Sequence, residues 1–466
     1  MPAQSPAQSP AQSIDQLKNS FRGELIHPTD AAYESARKVY NGMIDKRPRL
    51  IARCADVADV MAAVDFAADN QMLTAIRGGG HSGAGLGTCD DGLVIDLSRM
   101  KGIRVNPAAK TVRVEAGCVW GDVDHATHGF GMATPSGFIS STGVAGLTLG
   151  GGIGYLTRGF GLTIDNLLAV DMVLADGSFV TASSKENPDL FWAVRGGGGN
   201  FGVVTSFEFR LHPVKNVQFG LTFWPLEEAE TVLRAYRDFI QEAPEYVNGW
   251  FAFLVVPPAP MFPEHLHHKN VCGVVWCCTG SAEQTEQALK PMRSLGNPLF
   301  DHVGDAPFPA AQSTFDPLFV PGLQWYWKAD YFTELSDEAI ARHVEHGSKV
   351  PTMHSTMHLY PVNGAPQRVG RNDTAYSFRE ALFTQVIVGV DPDPANNEKT
   401  IAWCKNYWEA LHPFSAGGAY INFMMEEGQD RVQATYRDNY RRLAEIKKKY
   451  DPGNFFRVNQ NIRPSE

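Results

Sequence analysis

Three glycine-dense runs constrain this chain more than any other feature: Gly78-Gly79-Gly80-His81-Ser82-Gly83-Ala84-Gly85, Gly150-Gly151-Gly152-Ile153-Gly154 and Gly196-Gly197-Gly198-Gly199-Asn200-Phe201-Gly202. Glycine lacks a Cβ and adopts positive φ at no steric cost, so successive backbone N–H groups can converge on an anion such as a pyrophosphate. Any one run, read alone, is equally a tight turn. Three of them in one stretch point to a dinucleotide cofactor. They do not form the nicotinamide fingerprint, because no Gly-x-Gly-x-x-Gly joins an early strand to a helix with an acidic residue about 20 positions on.

At 466 residues the chain exceeds what a single hydrophobic core supports, so two domains are expected. An apolar share of 44% with 20% charged residues fits a soluble globular enzyme. The net charge of -10 repels phosphate backbones and argues against nucleic acid as a partner. The basic cluster Arg441, Arg442, Lys447, Lys448 and Lys449 reads as a solvated helix face. Seven scattered cysteines, an odd number, are unlike a disulfide framework and suit a reducing compartment. Met1 to Ser13, three near-copies of Pro-Ala-Gln-Ser, lacks the basic and apolar regions of a secretory signal and reads as a disordered tail. No run approaches the ~18 apolar residues of a membrane span. A cytoplasmic enzyme with no membrane partner is expected.

From Arg49 to Pro213 short β-branched runs (Leu73 to Ile76, Leu93 to Leu97, Thr111 to Val114) alternate with helical stretches such as Val57 to Asp69, an α+β or α/β pattern. After Pro213 the glycine runs vanish. Val232, Leu233, Tyr236, Phe239 and Ile240 share one helical face, and Ser281 with Gln284 has capping-box spacing. Val271 to Cys277 and Phe383 to Val390 are strand candidates, which together predict an antiparallel sheet backed by helices. Gln429 to Lys449 reads as one helix, ended at Asp451-Pro452-Gly453.

Arg77 to Gly83, Leu149 to Gly154, Gly161 to Leu167, Asp189 to Ala193, Arg195 to Gly202, Tyr450 to Phe456 and Asn459 to Ile462 carry a resemblance in sequence order. They resemble the berberine-bridge-enzyme-like group of FAD-linked oxidases, in the vanillyl-alcohol-oxidase superfamily. The likeness extends to the oxygenating, enterocin-type members that act on poly-β-carbonyl chains. It implies an α+β fold: a two-part PCMH-type FAD-binding domain with an inserted substrate domain, an antiparallel sheet backed by helices. On that basis residues 1–20 are a tail, 21–215 the FAD-binding domain, 216–424 the substrate domain and 425–466 a C-terminal return to the FAD domain.

The resemblance implies that His81 bonds covalently to the flavin. Around it the flavin would be held by Arg77, Gly78, Gly79, Gly80, Ser82, Gly83 and Gly85. A second group is Pro135, Gly137, Ser141, Thr142, Gly143, Gly146, Gly150, Gly152, Ile153 and Gly154. Gly199, Gly202, Val203, Val204, Tyr420, Asn422 and Asn459 complete the set. Many relatives add a second link through a cysteine shortly before the central glycine triplet, but Thr134 to Gly143 contains none. One covalent link through His81 is therefore expected.

Flavin chemistry needs a group that handles the substrate's O–H or N–H proton. Gln385 occupies the strand position that aligns with a family carboxylate, and it can orient a substrate but not accept its proton at neutral pH. Tyr420 in Tyr420-Ile421-Asn422-Phe423 resembles a family strand at the flavin face; as a plain strand aromatic it is equally well explained. Tyr155 either lines the pocket beside Ile153 or packs in the core. His265, His267 and His268 lack helical metal-ligand spacing, so no metal is expected. Cys277-Cys278 reads as core.

These readings predict an FAD oxidase that passes a hydride from a small alcohol, phenol, enolisable ketone or amine to the flavin. O₂ reoxidises the flavin, with or without oxygenation of the substrate. A carbohydrate oxidase releasing peroxide and a non-catalytic binding or coat protein are the rival readings. A homodimer is left open.

Overall fold

The computed structural model describes residues 13–466. The repeats expected to form a tail lie almost wholly outside the described residues. The last part of the tail expected over 1–20 is corrected: Ile14–Ser20 is a helix, closed at its start by a reciprocal Ser13–Gln16 capping box, and Leu17 is buried beneath it.

Among the described residues there are three sheets. The first has four strands in the spatial order Glu24–Ile26, Leu50–Arg53, Leu93–Asp96, Thr74–Arg77, with the last three mutually parallel. Parallel strands need a crossover, and helix Val57–Asp69 supplies the one between Leu50–Arg53 and Thr74–Arg77, which flank Leu93–Asp96; its N-cap Asp56 accepts from the Asp59 amide. The second sheet is antiparallel, in the order Ile103–Asn106, Thr111–Glu115, Val203–Arg210, Leu167–Val173, Phe179–Ser183. One continuous core fills the space between these two sheets and includes Leu443, Ile446, Phe456 and Ile462 from the C-terminal segment.

The third sheet is a seven-stranded antiparallel one. Its order is Phe300–Pro307, Asn216–Trp224, Asn270–Cys278, Val247–Val255, Thr356–Pro361, Phe383–Asp391, Gln324–Phe332. Because side chains alternate along each strand, its two faces carry separate cores. Helices Ala229–Glu242, Ala282–Arg293, Asp337–Gly347 and Asn397–Leu411 cover one face through Trp276, Phe251, Leu359 and Ile387. The other face, with Trp250, Trp325, Tyr360 and Val386, looks back toward the glycine loops. This is the α+β architecture expected.

Two local expectations are corrected. Gln429 to Lys449 is not one helix: Gln429–Tyr436 and Asn439–Tyr450 are separated at Arg437, whose φ of 50° is left-handed and cannot continue a helix. Lys447, expected on a solvated face, is fully buried and ion-paired with Asp451. Among the described residues no helix is long and apolar enough to cross a membrane.

Candidate active site

The uncovered face of the large sheet and the glycine loops enclose a cavity of about 340 Å³. Its floor begins where strand Thr74–Arg77 ends. The Arg77 guanidinium lies 2.9 Å from Asp96, both buried. Burial works to raise the Asp96 carboxyl, but the Arg77 charge prevails and holds it below its ordinary value. That pair anchors the start of the Gly78–Ser82 loop. A Cβ on Gly79 would stand 2.5 Å from the Gly143 backbone, and one on Gly143 would stand 2.4 Å from the Gly79 amide nitrogen. The two loops therefore cross backbone against backbone, which only glycine allows.

Two other glycines test whether a flavin dinucleotide fits. Among the described residues a Cβ on Gly146 or Gly199 would meet no atom within 4 Å, yet both residues line the cavity. Their smallness serves whatever occupies the cavity, not the protein's own packing. With Gly78, Gly79, Gly80, Ser82, Gly137, Thr142, Gly143, Ile153, Gly202, Val204 and Asn459 also in the wall, the floor suits a long cofactor seated close to backbone.

His81 stands at the rim of this floor. Its ring stacks on Tyr40 with centroids 3.8 Å apart and planes 21° apart, and its Nε2 is 3.1 Å from Ser141 Oγ. Burial lowers its pKa to about 4, so the imidazole is neutral and keeps a lone pair at neutral pH. Ser141 binds the ring from behind without itself lining the cavity.

The middle glycine run departs from the expectation of an anion cradle. Gly150 and Gly151 give their N–H groups to Gly146 and Thr148 carbonyls, and Gly154 gives its own to Thr157 Oγ1. The Gly152 N–H donates to the Tyr420 hydroxyl at 2.9 Å. A Cβ on Gly150 would fall 2.3 Å from Asn422 Oδ1. This run is thus a seat for Tyr420 and Asn422, and Gly150, Gly152 and Gly154 lie behind the cavity wall.

Tyr420 lines the cavity from the residue preceding a 3₁₀ turn, Ile421–Phe423, and not from the strand expected there. Its oxygen accepts from Gly152 N–H and from Asn422 Nδ2 at 2.7 Å. Burial raises its pKa to about 12, and the two donors oppose that rise. The phenol keeps its proton at neutral pH, while both donors favour the phenolate once it forms.

Several expected residues stand elsewhere. Gln385 pairs in register with Leu359 and Asp330 and points to the helix-covered core, so it cannot touch a substrate; its neighbours Val386 and Val388 line the cavity instead. Tyr155 is core: it meets Phe138 edge-on at 5.1 Å, outside the cavity, and among the described residues its hydroxyl has no partner. Gly83 packs under Trp327, Gly85 turns against Ile44, and Pro135 and Val203 sit one layer back. His265, His267 and His268 belong to no cluster able to hold a metal among the described residues.

The sequence reading missed the opposite wall altogether. Tyr40, Phe138, Trp250, Phe315, Phe319, Trp325, Trp327, His358, Tyr360 and Phe423 form an aromatic box facing the glycine floor. Arg77 is the one residue with a permanent charge in the whole lining, and neither Asp, Glu, Lys nor Cys is present among the described residues there. The alternation Thr356, His358, Tyr360 was the available signal.

Comparison with known proteins agrees with this geometry. Residues 48–183 match the family model of an FAD binding domain, and residues 419–463 match the berberine and berberine-like model. The chain is 31% identical to the uncharacterized FAD-linked oxidoreductase YgaK of Bacillus subtilis, over 96% of this chain and 98% of that one. It is 30% identical to (R)-6-hydroxynicotine oxidase of Paenarthrobacter nicotinovorans, over 96% and 97%. The crystal structure of 6-hydroxy-D-nicotine oxidase from Arthrobacter nicotinovorans superposes with a TM-score of 0.86 at 26% identity, covering 97% of this chain and all of that one. The chain belongs to the berberine-bridge-enzyme-like family of FAD-linked oxidoreductases.

Proposed function

We propose that this enzyme holds FAD through one covalent bond to His81 and oxidises a flat, neutral aromatic or conjugated carbonyl compound bearing a hydroxyl or enolisable position, with O₂ as the final acceptor. The observation that carries the reading is the cavity itself: a glycine floor, His81 at its rim, and an aromatic wall that among the described residues holds neither a carboxylate nor an ammonium. When bound, FAD supplies the hydride acceptor and the reaction with O₂. The chain's own residues do the rest. The aromatic wall excludes water and presses a flat substrate toward the floor. Tyr420 exchanges the proton of the reacting hydroxyl, and the Gly152 and Asn422 donors stabilise the charge left on its oxygen.

An amine substrate lacks a counter-charge in this wall, and an oligosaccharide lacks the polar partners its hydroxyls need, since a buried unpaired hydroxyl is costly. A panel read by peroxide release is expected to give turnover with naphthylmethanols and with aromatic ketones that carry a secondary alcohol, whose carbinol C–H supplies the hydride, and none with xylobiose or alkylamines. Faster turnover of the sugar would sink this reading. The seven cysteines, all buried free thiols, support placement in the reducing cytoplasm.

Acid-precipitated wild-type protein is expected to stay yellow, and His81→Ala to release its flavin into the supernatant. Ser141→Ala should slow coupling, because with Nε2–H donating to Ser141 Oγ the free lone pair is held on Nδ1. A colourless wild-type precipitate would remove the covalent bond and leave the FAD reading standing.

A further inference from the structure

Strand Thr356–Pro361 sends Thr356, His358 and Tyr360 to the cavity face and Met357 and Leu359 to the helix-side core. His358 Nδ1 and Tyr360 Oη are 2.5 Å apart. A phenol is the better donor and an imidazole nitrogen the better acceptor, so the Tyr360 hydroxyl donates to Nδ1 and the ring proton resides on Nε2. Among the described residues Nε2 has no hydrogen-bond partner, and the ring lines the cavity. Burial holds the His358 pKa down at about 3, so the ring remains a neutral, single N–H donor at neutral pH.

The pair is held rigidly. Trp250 packs on His358 with centroids 4.3 Å apart, and Phe138 stacks on Tyr360 at 4.1 Å. The other polar groups of this wall are committed or sealed. Thr356 Oγ1 donates to the Phe253 carbonyl, and the indole nitrogens of Trp250, Trp325 and Trp327 are shut within the wall. Val386, Val388 and Ala252 flank His358 on the same face and offer no charge.

We propose that His358 Nε2–H is a specificity-determining donor that selects substrates with a carbonyl or phenol oxygen at that point of a flat aromatic frame. Tyr360 is a positioning residue that fixes the imidazole tautomer. This rests on the aromatic-substrate reading above and adds the place and sign of its polar contact.

Calorimetric titration of the FAD-loaded enzyme with 1-indanone and with indane tests it, because the two probes share shape and differ in one acceptor oxygen. The ratio of the indane Kd to the indanone Kd is expected to fall about fivefold or more in His358→Phe, with the indane Kd little changed. His358→Gln, which restores an N–H donor, should regain part of the ratio. Tyr360→Phe deletes one oxygen, keeps the ring stack and folds as the gentler variant. It should lower the ratio about twofold or more, an effect that loss of packing alone would not produce. An unchanged ratio in His358→Phe, or in Tyr360→Phe should the first variant not fold, overturns the proposal and leaves the aromatic wall as a substrate site. Failure of wild type to bind either probe overturns the aromatic reading, and the proposal with it.

Discussion

Tyr420→Phe is expected to lower kcat by about 10²–10⁴-fold while leaving FAD bound. The substitution removes one oxygen, and with it the only group among the described residues that both reaches the cavity and is primed to carry a transient negative charge. Gly152 N–H and Asn422 Nδ2 meet on that oxygen at 2.9 and 2.7 Å, so each strengthens as charge develops there. The sign of the pH dependence follows from its pKa. Burial raises the phenol to about 12, so the deprotonated fraction grows tenfold per pH unit up to that value. If Tyr420 is the proton acceptor, log kcat climbs between pH 7 and 10 in wild type, and the slope disappears in Tyr420→Phe. A slope that survives in the variant would assign it to the substrate's own ionisation. Asn422→Ala should reduce kcat in the same direction by less, since Gly152 still supports the oxygen.

What the sequence made legible was the part of the site written in consecutive residues. The Gly78–Ser82 and Gly196–Gly202 runs were readable because glycine's missing Cβ is a property of one position, and Gly78, Gly79, Gly80, Gly199 and Gly202 do line the cavity. The Gly150–Gly154 run was misread for the same reason: pattern alone does not say whose atoms come close, and here they are Asn422 and Tyr420. Gln385 shows a second limit. Strand periodicity gives two faces but not which one is wet with substrate, and a shift of one residue exchanges Gln385 for Val386. Beyond the Thr356, His358, Tyr360 alternation the aromatic box was hidden, because Trp250, Trp327 and His358 come from three strands joined only by tertiary pairing. The break at Arg437 was unreadable for a different reason: the flanking helical patterns run on without a glycine or proline between them.

Lys447→Met is expected to destabilise the protein by about 3–5 kcal/mol, although Lys447 does not line the cavity. Its ammonium is fully buried and spends all three protons: on the Asn200 carbonyl at 2.6 Å, Asp451 Oδ2 at 2.6 Å and the Phe456 carbonyl at 2.9 Å. It thereby ties the third glycine run to the C-terminal turn, where Asn459 Nδ2 in addition donates to the Gly199 carbonyl. Methionine keeps the stem's volume but leaves the buried Asp451 carboxylate without its counter-charge and the Asn200 carbonyl without its Lys447 donor, while the Phe456 carbonyl keeps Asn459 Nδ2 at 3.0 Å. The Phe455 and Phe456 amides still donate to Asp451 at 2.7 and 2.9 Å, which places the cost toward the lower end of the range. The double variant Lys447→Met with Asp451→Asn removes the orphaned charge and should recover part of the loss. Equilibrium denaturation of the four proteins measures this directly. A single-variant loss below about 1 kcal/mol, or no recovery in the double variant, would mean that water reaches the pair and that the glycine floor is held by apolar packing alone.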